Sequence, residues 1–211
     1  MKNLISFLPV VLCFAVLMTS GLAEAKVFSD KRTVGNFSSV HISGAMDVKV
    51  YIGNESTVEV FAPKNVENVI TEVENGKLKI YQKGNSSYEG RIEVIVYTPS
   101  LSSAHISGAS KLKIEKIDAV DFSLDVSGAS KIVLGGNVTN LELNVSGASN
   151  LDLSNLNVSN AEVDFSGAST GELNVTGELS VSLSGASVVK YSGNPVIKSE
   201  RISGVSKLQK N

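Results

Sequence analysis

Apolar and polar residues alternate strictly along much of this chain. Phe122, Leu124 and Val126 are separated by Ser123 and Asp125. The same rhythm returns in Leu141, Leu143 and Val145, in Ala161, Val163 and Phe165, and in Leu179, Val181 and Leu183. A period of two is the signature of half-buried strands, whose side chains point in turn to the core and to water. A second alternating stretch follows each of several turns: Leu112 and Ile114, Ile132 and Leu134, Leu151 and Leu153, then Val189 and Tyr191. No segment carries the 3.6-residue apolar period that a helix needs. Between the paired stretches sits the tetrapeptide Ser-Gly-Ala-Ser. Copies begin at Ser107, Ser127, Ser146, Ser166 and Ser184, and altered copies at Ser43 and Ser203. From Ser107 to Ser203 the steps are 20, 19, 20, 18 and 19 residues.

A unit this short cannot enclose a core of its own, so each repeat must bury its apolar face by stacking on the next. Two strands per repeat, stacked about 4.8 Å apart, predict an all-β parallel β-helix. The motif predicts a bend at Gly-Ala, because a glycine inside a strand marks a tight corner. Gly108, Gly128, Gly147, Gly167, Gly185 and Gly204 then form a column of corners, and the motif serines read as scaffold. Residues 26–106 are less regular. Alternation appears in Val48 to Ile52, Leu78 to Ile80 and Ile92 to Val96. The 64 residues from Ser43 to Ser107 amount to three coils of about 21 each. Asn75-Gly76 is a tight-turn signal, so antiparallel hairpins are the other expectation for this part. In the last repeat Lys198 and Glu200 take slots that are apolar upstream, which predicts an end blunted by charge.

The first 25 residues change the picture. Lys2 precedes an apolar run from Leu4 to Met18, and Ala23-Glu24-Ala25 is a small-residue cleavage signature. This predicts a secretory signal peptide over 1–25 and one domain over 26–211, split into irregular coils (26–106) and regular ones (107–211). The single cysteine, Cys13, lies in the removable segment, so no disulfide is expected in the exported domain. The net charge of −2, without a clustered basic face, excludes a nucleic-acid binder. No second long apolar run predicts a membrane span after signal removal.

The run Val40-His41-Ile42-Ser43-Gly44-Ala45-Met46-Asp47-Val48, the segment Tyr97-Thr98-Pro99-Ser100-Leu101 and the Ser-Gly-Ala-Ser coils resemble the head GIN domain family, exported bacterial proteins described as auto-transporter adhesins. The resemblance covers about all of 26–211. It implies a right-handed β-helix, related in shape to pectin-lyase-type folds. It also implies no catalytic residue and no cofactor, and an adhesive role in the periplasm, on the outer surface or outside the cell, with a surface glycan or protein as partner.

Candidate chemistry rests on outward positions. Asp125 and Asp164 share one column two coils apart, about 9–10 Å, a separation suited to an inverting glycosidase. Glu142 and Glu162 are column neighbours. These four carry the alternative reading, a polysaccharide-active enzyme. The same acids, with Asp121 and the asparagines 140, 144 and 160, form a patch that could attract cations, although the aspartate-bearing nonapeptide of calcium-binding β-rolls is absent. Any polar residue serves on a solvated face, however, and the chain has no tryptophan to stack a sugar. Tyr51, Tyr81, Tyr88 and Tyr97 concentrate in the irregular part, as ligand contacts or as covers for the end of the stack. His41 and His105 each stand two places before a motif serine. Three coils apart, about 14 Å, they could not share a metal. The leading expectation is therefore a non-enzymatic binding or structural module that presents an extended β face.

Overall fold

The computed structural model describes residues 27–84 and 90–211, so the predicted signal peptide, Cys13 and Tyr88 lie outside the described residues. Eight strands make up the N-terminal part: β1 (Phe28–Thr33), β2 (Ser39–Gly44), β3 (Asp47–Ile52), β4 (Thr57–Ala62), β5 (Val69–Glu74), β6 (Lys77–Gln82), β7 (Glu93–Thr98) and β8 (Ser103–Gly108). The regular part holds β9 (Lys111–Gly128), β10 (Lys131–Gly147), β11 (Asn150–Gly167), β12 (Thr170–Val175), β13 (Glu178–Leu183), β14 (Val188–Ser192), β15 (Val196–Ile202) and β16 (Lys207–Lys210). Among the described residues the only helical element is a short 3₁₀ turn, Val66–Asn68.

The regular part is a parallel β-solenoid. The register column Lys111, Lys131, Asn150, Thr170, Val188 and Lys207 marks five turns, and every strand pair along it is parallel. A second ladder runs through β8, β9, β10, β11, β13 and β15. The alternating apolar residues fill the space between the ladders. Phe122, Leu141 and Leu179 stack in one buried column, and Leu124, Leu143, Val163 and Val181 in the next. Gly171 stands in an otherwise apolar column because a Cβ there would lie 2.8 Å from the ring of Phe165. Large and small residues thus offset one another in a close-packed interior.

The motif makes the corner. The backbone turns at Gly-Ala, the alanine is exposed, and the second serine is buried. The motif glycines adopt positive φ, +109° at Gly147 and +105° at Gly167. Each also lies against the corner of the preceding coil: a Cβ on Gly147 would sit 2.3 Å from the carbonyl oxygen of Gly128. The second serine closes the hydrogen bonds that the bend interrupts. Ser149 Oγ donates to Gly128 O at 3.1 Å and accepts from Ser130 N at 3.0 Å, and Ser130 and Ser169 repeat the arrangement. Buried backbone amides need such partners.

The N-terminal part departs from the expected order. Ser43 pairs directly with Ser107 through β2 and β8, so no coil stands between the two motifs. Strands β6 and β7 stack on the far side of β2 and β3. The chain therefore makes the β2–β3 coil, folds outward through β4, β5, β6 and β7, and returns to the inner side at β8. The expected three successive coils are corrected to one coil flanked by an outer layer. Asn75-Gly76 does close an antiparallel hairpin, β5–β6, with both residues at positive φ. β4 pairs antiparallel with β7, and β1 with β4.

Candidate functional site

The outward residues of the second ladder form a continuous polar face, because the period of two sends every alternate side chain to the same side. One column reads Lys77, Ser39, Ser103, Ser123, Glu142, Glu162, Ser180 and Ser199. Its neighbour reads Lys79, His41, His105, Asp125, Asn144, Asp164, Ser182 and Arg201. A third holds Asp121, Asn140 and Asn160. Asparagines are interleaved with the carboxylates and bond to them. Asn140 Nδ2 donates to Asp121 Oδ1 at 2.9 Å, and Asn160 Nδ2 donates to Asn140 Oδ1 at 3.0 Å. Asn144 Nδ2 donates to Asp125 Oδ1 and to Glu142 Oε1, both at 3.1 Å.

Two shallow depressions open on this face. One, of about 560 Å³, is lined by Asp121, Glu142, Glu162, Glu178, Asn140 and Asn160. The other, of about 440 Å³, is lined by His105, Asp125, Asn144, Asp164 and the serines around them. Asp125 and Asp164 do share a column two coils apart, but the side chain of Asn144 stands in the row between them. An inverting hydrolase holds a water in that space. Glu142 and Glu162 are direct neighbours, as expected. Among the described residues, no three of His, Cys, Asp and Glu are grouped to hold a metal ion.

The histidines overturn their expected separation. His41 and His105 are register partners in adjacent strands, and their rings stack at 4.7 Å between centroids with 23° between planes. His105 Nδ1 lies 3.8 Å from Asp125 Oδ2. Burial first, then the charges of Lys77 and His105, hold the His41 imidazole below its ordinary value. Of the candidate tyrosines, two of the three described ones meet. Tyr51 and Tyr97 stack at 5.6 Å on the first ladder, with Tyr51 half exposed. Tyr81 lies on the second ladder against Ser43.

A further array escaped the sequence reading. Asn137, Asn157 and Asn174 form an exposed amide ladder along the remaining side, each Nδ2 donating to the preceding Oδ1 at 3.1 Å. The triplets Asn137-Val138-Thr139, Asn157-Val158-Ser159 and Asn174-Val175-Thr176 were its visible signal.

A family model described as "Putative auto-transporter adhesin, head GIN domain" matches residues 36–195. The chain belongs to this family. No curated protein matches it. Among solved structures, a "putative adhesin" of Bacteroides fragilis shares 15% identity with a TM-score of 0.73, over 89% of this chain and 98% of that one. One of Parabacteroides distasonis shares 16% with a TM-score of 0.57, over 88% and 97%. One of Parabacteroides merdae shares 14% with a TM-score of 0.50, over 88% and 96%. At such identities the likeness is one of fold. Among the described residues of this head GIN domain, no helix is long and apolar enough to cross a membrane.

Proposed function

We propose that the protein is an exported, non-enzymatic binding module that uses the polar face of β8, β9, β10, β11 and β13 to hold a surface glycan or protein in an adhesive role. Residues 1–25 are removed on export, and 26–211 act as one domain in the periplasm, on the outer surface or outside the cell. The observation that carries this reading is the interleaving of amides and carboxylates on a fixed grid. Asn144 ties Asp125 to Glu142, Asn160 and Asn140 chain to Asp121, and together they offer donors and acceptors at strand spacing, which suits a ligand with repeating hydroxyl or amide groups. Membership of an adhesin family supports the same conclusion. Catalysis by Asp125 and Asp164 is disfavoured by the amide between them.

A glycan array probed with the purified protein tests this. Binding is expected, and Glu142→Lys with Glu162→Lys abolishes it, while Lys113→Glu on the other ladder leaves it intact. A reducing-sugar assay on the bound glycans gives no product. Release of reducing ends that Asp164→Asn removes would overturn the non-enzymatic reading, and binding indifferent to the lysine substitutions would overturn the choice of face.

A further inference from the structure

The chain has two histidines, and the fold brings both together from 64 residues apart in sequence. We propose that His41 and His105 form a two-imidazole site for a late first-row divalent cation, such as zinc or copper(II), with water completing the coordination.

Two imidazoles in adjacent strands project from the same face at the same height. Their ring centroids, 4.7 Å apart, are splayed by 23°. A metal–nitrogen bond is about 2.0–2.1 Å, so rings with centroids 4.7 Å apart can each bring one nitrogen to a shared ion by rotating out of their stack. Imidazole is the ligand these cations take most readily, and their open positions are filled by water. Asp125 Oδ2 lies 3.8 Å from His105 Nδ1, so a carboxylate flanks that nitrogen and Nε2 is the one open to the ion.

Charges of both signs surround this position, with Lys77 acting on His41 from one side and carboxylates standing beyond His105 on the other. Beyond His105 the column continues through Asp125 and Asp164, and the depression they line opens beside the ring. On the other side Lys79 is in register with His41, but its ammonium is bonded to Glu74. No cysteine among the described residues competes for the ion.

The test is titration of the tag-free protein with zinc chloride and with copper(II) chloride, followed by calorimetry and by NMR of the two imidazole Cε1–H signals. One ion per chain is expected, with both signals perturbed together. His41→Gln and His105→Gln should each weaken binding by at least tenfold, about 1.4 kcal/mol. The double variant should lose little more than either single one, because one ion needs both rings. Asp125→Asn should weaken binding by a smaller factor. Thermal melting establishes that each variant is folded. Two ions per chain, perturbation of one signal alone, or a loss below tenfold in either folded single variant would overturn the site. Glycan binding is read in a separate assay, so failure here leaves the adhesive reading standing.

Discussion

The two ends of the solenoid meet the same problem in opposite ways. An open coil end exposes unpaired strand edges and uncovered apolar side chains. At the N-terminal end the chain doubles back and covers them. β1 and β4 add antiparallel strands outside β7, and β5 adds one outside β6. Arg32 ties these layers together: its guanidinium donates to Val69 O, to Thr71 Oγ1 and to Val66 O, and pairs with Asp30 at 2.8 Å. At the C-terminal end no described residue covers the last coil. Val196 is 62% exposed, Val205 80%, Ile202 41% and Ile197 37%. Here the edge is blunted in place. Lys198 is the extra residue of a bulge and pairs with Glu178 at 3.0 Å. Glu200 continues the buried column of Leu124, Leu143, Val163 and Val181, so a charge ends it. Glu200 takes an apolar slot as expected from sequence, but Lys198 does not, because the bulge places Ile197 in the column instead, and four apolar side chains stay open. Covering demands long-range pairing and local insertions, whereas blunting needs only one substituted slot and one bulge.

The largest effect should come from the corner glycines, and it should differ between regions. In a central coil a Cβ on Gly147 meets the backbone of Gly128 at 2.3 Å, whereas on Gly44 it meets only the end of the Gln82 side chain at 3.2 Å. Gly147→Ala should therefore cost more than about 4 kcal/mol or abolish folding, and Gly44→Ala about 1–2, the cost of its positive φ. Equal losses in urea denaturation would break the contrast.

Next comes the N-terminal cover. Arg32→Met leaves Asp30 largely buried without its partner and frees three hydrogen-bond acceptors, for a loss of about 3 kcal/mol. Hydrogen exchange should rise first in β1 and β5 and leave β10 protected. Uniform exchange would show that the cover and the coils unfold as one unit.

Smaller again is the serine ladder. Ser149→Ala strands the Ser130 amide in the interior and should cost about 1–3 kcal/mol. Ser206→Ala removes the equivalent bond to Ser187 N at the open end, where water can replace it, and should cost about half as much or less. Paired urea midpoints measure the difference.

The smallest effect concerns pH. Because His41 in the folded chain binds its proton less readily than in the unfolded chain, its stability contribution is full above about pH 6.5 and falls as pH drops below that value. His41→Gln should remove this part of the acid-side decline. An unchanged slope of urea midpoint against pH would refute it.

Much of this was legible in the residues. The alternation named the buried columns, the motif named the corners, and the outward acids were placed in their true columns at Asp125, Asp164, Glu142 and Glu162. The histidines were misplaced for one reason. A separation of 64 residues counts how much chain intervenes, but not on which side of a coil it stacks. Asn144 was visible as polar, yet its bonds to Asp125 and Glu142 depend on rotamers that no pattern displays.

The sequence by itself determined which side chains enter the core, where each coil turns and how often, because these follow from the strand period and from what glycine alone can adopt. Only the tertiary structure decided that β6 and β7 lie outside β2 and β3, that the second motif serine bridges two coils, and that His41 meets His105. Each of these joins atoms from distant parts of the chain, and such neighbours are chosen by the packing of whole layers rather than by the local rhythm that builds one.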